Sequence, residues 1–121
     1  MKAIKVLVAE DEPMMLKLIE FKLIKDGYTV ITAIDGREAM EGISIHDPDI
    51  IITDIMMPYA SGLEIVSKVK ARPRKIPVIV LTSMGQENVV IDAFNLGADD
   101  FITKPFSPNE LSVRVKRLIK S

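Results

Sequence analysis

Short, unbroken apolar runs return along this chain at intervals that leave room for a helix between each pair. They are Lys5–Ala9, Thr29–Ala33, Ile50–Asp54, Val78–Thr82 and Phe101–Thr103, rich in β-branched residues and without strict alternation of apolar and polar positions. A strand that is apolar at successive positions has both faces covered, the condition of a parallel sheet with helices on each side. The intervening segments carry helical period and helix punctuation: Pro13 to Lys25, Gly36 to Ile45 after Asp35 as a cap, Ser61 to Ala71, Gln86 to Leu96, and a last helix from Pro108. That last helix is the best marked. Ser107-Pro108-Asn109-Glu110 supplies an N-cap, a proline at the first helical position and a capping-box glutamate, and Leu111, Val115, Leu118 and Ile119 then share one face. Parallel strands need crossovers, and these are right-handed in nearly all cases, so the pattern predicts a doubly wound α/β sandwich. No repeat, linker or low-complexity stretch interrupts it, and residues 1–121 read as a single domain.

A chain of 121 residues can bury a sufficient core without a staple, and none is offered, since cysteine is absent. That excludes disulfide frameworks and thiolate metal sites, and fits a reducing compartment, the cytoplasm by default. Sixteen basic against seventeen acidic residues give a net charge of −1, which argues against direct nucleic-acid binding by this domain. Glu10-Asp11-Glu12 cuts off the first apolar run, leaving neither a targeting peptide nor a membrane span at the start.

The carboxyl ends of parallel strands share one edge of the sheet, and ligands bind in the crevice beside it. Glu10 and Asp11 follow the first run, Asp54 ends the third, and Lys104 follows the fifth. Three carboxylates and one ammonium therefore converge. Such acids suit a hard cation, Mg²⁺, which keeps phosphate and water in its shell. Asp54, beside a metal, is a candidate nucleophile toward phosphorus; read alone, it is equally an aspartate capping the turn before Pro58. Glu10-Asp11-Glu12 likewise reads, by itself, as solvated helix-start acids. Lys104 precedes Pro105, where a cis peptide would aim the ammonium inward. Thr82-Ser83 ends the fourth run with hydroxyls able to donate to a phosphoryl oxygen, and Gly85 lets the following loop move.

In this order, Glu10-Asp11, Asp54-x-x-Met57-Pro58-x-x-x-Gly62-x-Glu64, Thr82-Ser83, Gly97-Ala98-Asp99-Asp100-Phe101 and Lys104-Pro105-Phe106 resemble the receiver domain of two-component response regulators over essentially the whole chain. The resemblance implies a flavodoxin-like (βα)5 sandwich with strand order 2-1-3-4-5. It implies Asp54 as phosphoacceptor, with Glu10, Asp11, Asp54 and the backbone carbonyl of Met56 as Mg²⁺ ligands and Lys104 as partner of the phosphoryl group. Thr82 and Phe101 would be the hydroxyl and aromatic pair that reorient on phosphorylation. The phosphodonor would be a sensor histidine kinase or a phosphotransfer protein, and the chain would be no enzyme beyond its own Mg²⁺-dependent phosphorylation and dephosphorylation.

Two other classes fit less well. An aspartyl-phosphate hydrolase resembles families with a second acid two residues after the nucleophile, where this chain has Met56. A flavodoxin-like cofactor module needs a phosphate-cradling loop after the first strand, where Glu10-Asp11-Glu12-Pro13 would repel a phosphate. For output, a 100° step on the fourth helix puts Val89, Ala93, Leu96 and Gly97 on one face and turns Val90, Ile91 and Phe94 elsewhere, while Val113 lies opposite the apolar stripe of the last helix. With Asp100 and Arg114 they outline an interface for a phosphorylation-dependent homodimer, as in receivers that precede winged-helix DNA-binding domains. Val90 and Asn95 stand where that branch places charged partners. Met56 and Met84 flank the water path to a phosphorylated Asp54, and as apolar chains are expected to shield it and prolong the phosphorylated state.

Overall fold

The computed structural model describes residues 3–120 and alternates strand and helix from end to end. The order is β1 (Lys5–Ala9), α1 (Pro13–Lys25), β2 (Thr29–Ala33), α2 (Gly36–His46), β3 (Ile50–Asp54), α3 (Gly62–Lys70), β4 (Val78–Thr82), α4 (Glu87–Asn95), β5 (Asp100–Thr103) and α5 (Pro108–Lys120). The strands form one parallel sheet in the order β2-β1-β3-β4-β5. Side chains alternate across it. Leu7, Ile51, Val78 and Val80 face Ala39 and Ile43 of α2, Ile65, Val66 and Val69 of α3 and Ala93 of α4. Val6, Val8, Ile50, Ile52, Ile79, Leu81 and Ile102 face Leu16, Ile19 and Leu23 of α1 and Leu111 and Val115 of α5. Two helical layers thus cover one sheet.

Only β1, β3 and β4 are buried almost throughout; β2 and β5 form the edges and leave half or more of their positions partly or fully exposed. Their short apolar runs signal membership of the sheet but not its edge, because edge placement is set by the crossovers. Caps fall where the sequence puts them: Asp35 accepts from the Glu38 amide at 2.8 Å, Ser61 from Glu64 at 3.3 Å and Ser107 from Glu110 at 3.1 Å. Among the described residues no helix is long and apolar enough to cross a membrane.

The α4 surface departs from the sequence expectation. Val90 turns inward with Val89 to pack on the core, whereas Leu96 and Gly97 are exposed. The helix stops at Asn95, so Leu96 and Gly97, at φ 110°, lie past its end, where the 100° step no longer applies.

Candidate functional site

The chain order places β1 and β3 side by side with their successors on opposite sides, so a crevice opens where β1 and β3 end. Glu10 leaves β1 into that crevice and is wholly buried; Asp54 ends β3 at 9 % exposure; Asp11 stands exposed at the rim. One carboxylate oxygen from each lies within 4.8 Å of the others. Lys104, just after β5, reaches across to them, its Nζ 2.6 Å from Glu10 Oε1 and 3.0 Å from Asp54 Oδ2. Its peptide bond to Pro105 is cis. The acidic triplet divides three ways. Glu12 caps α1, accepting from the Met14 and Met15 amides at 3.1 and 2.8 Å, and its own amide donates to Glu10 Oε2 at 3.0 Å.

Burial pushes the Glu10 carboxyl up to about 7; the Lys104 ammonium and the Glu12 amide pull the other way without cancelling it, and the Asp54 charge adds to the rise. Burial alone would lower the Lys104 ammonium, but its hydrogen bonds to Glu10 and Asp54 more than reverse that, and it stays charged. A carboxyl whose native pKa lies above its ordinary value of 4.5 stabilises the fold while protonated. That contribution is fully present below about pH 4.5 and is lost as pH rises to about 7. The metal-free chain is therefore expected to lose on the order of 3 kcal/mol of Glu10-dependent stability across that window. Urea unfolding at stepped pH, read as the difference between wild type and Glu10→Gln, measures it; parallel curves would mean Glu10 is not the group that titrates.

Thr82 is 2 % exposed and its hydroxyl donates to the Thr103 hydroxyl at 3.4 Å. Phe101, 38 % exposed, meets Phe94 edge to face with centroids 5.8 Å apart. Between Thr82 and Phe101 runs a groove of about 300 Å³, lined also by Ser83, Val90 and Ile91. The apolar shield expected of the methionines is not formed: Met84 is 88 % exposed and Met56 54 %. Gly85 takes a positive φ of 89° in this loop, and the Ser83 amide donates to Gln86 Oε1 at 2.6 Å. Asp100, expected at an interface, is buried, and its oxygens accept from Arg114 and Arg117 of the same chain at 2.8 and 2.9 Å.

One surface escaped the sequence reading. Met14, Leu18, Phe21 and Ile24 form an exposed stripe on α1, opposite Leu16, Ile19 and Leu23. The signal was present in the spacing of Met14, Leu18, Phe21 and Ile24, which a helical period puts toward one side of α1.

A doubly wound sheet thus gathers three carboxylates and one lysine at its carboxyl edge, the arrangement of a receiver-type signalling domain. The chain belongs to the response regulator receiver domain family, whose sequence model matches residues 6–116. It is 38 % identical over 116 residues to the alkaline phosphatase synthesis transcriptional regulatory protein PhoP of Bacillus subtilis, a match covering 96 % of this chain and 48 % of that protein. The chain thus spans about half the length of the curated relatives it matches. Among solved structures it superposes on a response regulator receiver domain protein of Clostridium thermocellum with a TM-score of 0.91 at 33 % identity, covering 97 % of this chain and 94 % of that one. The chemotaxis response regulator CheY4 of Vibrio cholerae gives 0.89 at 30 %, covering 97 % and 99 %. Domains of this family are signalling modules and not enzymes of turnover.

Proposed function

We propose that this receiver domain takes up a phosphoryl group on Asp54, with Mg²⁺ held by Glu10, Asp11, Asp54 and the backbone carbonyl of Met56. The observation that carries the reading is the bridge of Lys104 between Glu10 and Asp54 inside a cluster of carboxylates within 4.8 Å of one another. Hard oxygen donors at that spacing fit a small divalent cation. Bound there, Mg²⁺ supplies the positive charge that lets a phosphoanion approach three acids. An Asp54 oxygen attacks phosphorus in line, and the bond from phosphorus to the donor imidazole nitrogen breaks as the imidazole leaves. Lys104 pairs with the new phosphoryl oxygens, the Thr82 hydroxyl swings from Thr103 to donate to them, and Phe101 turns into the groove it already lines. The surface of α4, β5 and α5 changes as a result. A Mg²⁺ titration followed by amide spectra tests the metal step: saturable shifts at Glu10, Asp11 and Met56 are expected, weakened about tenfold in Asp11→Asn. Equal affinity in the two proteins contradicts it.

The donor in this reading is a sensor histidine kinase or phosphotransfer protein in the cytoplasm, and the exposed α1 stripe offers it an apolar docking face that starts just past the Glu12 cap, whose amide donates to Glu10 of the acid cluster. The output follows that of the transcriptional regulators the chain resembles. Once phosphorylated, the domain self-associates through Ile91, Phe94 and Val113, exposed on α4 and α5. With Val90 half-buried and Asp100 engaged by Arg114 within the chain, that contact is apolar and weakly salt-dependent. Light scattering after activation should show a mass increase in wild type that Phe94→Asp abolishes; a monomeric wild type removes the dimer.

A further inference from the structure

The turn that opens α2 and the loop that follows Asp54 hold one another. The Gly36 amide donates to the Pro58 carbonyl at 3.1 Å, and the Ala60 amide donates to the same oxygen at 2.9 Å. The backbones touch: a Cβ on Gly36 would lie 2.1 Å from the Ala60 carbonyl oxygen. Over this contact the Arg37 guanidinium sits 4.3 Å from the centroid of the Tyr59 ring. Tyr59 has φ 72°, a left-handed conformation that a residue with a Cβ keeps only when its surroundings impose it. At the other end the Gly62 amide donates to the Ile55 carbonyl at 3.0 Å and closes the loop on itself. Within the closed loop lies Met56, whose amide reaches Asp54 Oδ1 at 3.4 Å.

We infer that Arg37 and Tyr59 are positioning residues for the metal site: their cation–π contact clamps the crown of the β3–α3 loop against α2 and so fixes where the Met56 carbonyl is presented. The inference rests on the reading of the acid cluster and Met56 as the Mg²⁺ site. Neither residue touches the acids, and both are solvent-exposed, so their removal leaves the core and the carboxylates in place. A ligand oxygen on a loop held in its bound shape loses less freedom on binding than one on a loose loop. A cation–π contact at an exposed site then changes Mg²⁺ affinity by about two- to fivefold.

Two readouts test it on the whole domain: Mg²⁺ affinity by calorimetry, and amide exchange at Gly36 and Ala60 in the metal-free protein. Arg37→Ala and Tyr59→Ala are each expected to exchange faster at both amides and to bind Mg²⁺ about two- to fivefold more weakly. The double variant should be no weaker than either single one, and Tyr59→Phe, which keeps the ring, should bind as wild type does. Unchanged Mg²⁺ affinity in both alanine variants, additive losses in the double variant, or a Tyr59→Phe as weak as Tyr59→Ala would overturn the assignment. A wild type that binds no Mg²⁺ while exchange still responds at Gly36 and Ala60 would instead overturn the metal-site reading, leaving the clamp a loop-stabilising contact alone.

Discussion

Lys104→Ala is expected to bind Mg²⁺ about tenfold more tightly than wild type and to lose the conformational response to a phosphoryl mimic such as beryllofluoride. The ammonium sits 2.6 Å from Glu10 Oε1 and 3.0 Å from Asp54 Oδ2, on oxygens that the proposed Mg²⁺ would also use. A unit and a divalent charge some 5 Å apart repel by about 2 kcal/mol even at a water-like dielectric, so removing the lysine favours the ion. The same removal leaves Glu10, fully buried, without its countercharge. Without Mg²⁺ the variant should therefore be about 1–3 kcal/mol less stable near pH 7. The deficit should shrink near pH 5, where Glu10, titrating at about 7, is protonated. Calorimetry and urea unfolding at the two pH values measure both effects. Amide spectra of α4 and β5 with beryllofluoride measure the switch. Weaker Mg²⁺ binding, or a wild-type spectral response, would mean that the lysine neither competes with the metal nor reads the phosphoryl group.

The frame of the molecule was legible because parallel strands and their crossovers write themselves locally. The runs at Lys5–Ala9, Ile50–Asp54 and Val78–Thr82 coincide with β1, β3 and β4. β5 begins at Asp100, one residue before its apolar run, where the backbone pairs with Ile79; the Asp100 carboxylate is neutralised by Arg114 and Arg117 of α5, a pairing fourteen and seventeen residues away that no local pattern shows. The α4 face was misread for a related reason: where Val90 and Leu96 point depends on where the helix ends and on what α4 packs against.

The site was legible in its members and not in their division of labour. Strand ends announced Glu10, Asp11, Asp54 and Lys104, and the structure brings those four side chains together. Three adjacent acids look alike in sequence, yet one is buried, one stands at the rim and one caps a helix, a distinction made by the turn from β1 into α1. Thr82 and Phe101 line one groove, and the Thr82 hydroxyl, expected to donate to a phosphoryl oxygen, donates here to Thr103. The side-chain directions of Met56 and Met84 are set by loop geometry, and there sequence composition misled: apolar side chains beside a reactive group shield it only if they fold over it, and Met84 points to solvent. The Arg37–Tyr59 contact joins the first turn of α2 to the loop between β3 and α3, which sequence periodicity does not connect.

Covalent labelling of Asp54 tests the central claim most directly. Glu10 shares the Lys104 contact and the acid cluster but is wholly buried, with its second oxygen held by the Glu12 amide; Asp54, 9 % exposed at the end of β3, is the member of the cluster that joins Lys104 to an oxygen a phosphodonor can reach. Amide in place of its carboxylate removes the nucleophile and one metal oxygen, and labelling should fall by orders of magnitude. The chain is incubated with acetyl phosphate and Mg²⁺, and intact mass is measured for wild type, for Asp54→Asn, and for wild type in excess chelator. The expected result is the mass of one added phosphoryl group on wild type with Mg²⁺ and none in the other two samples; equal labelling of Asp54→Asn, or labelling that survives the chelator, would contradict it.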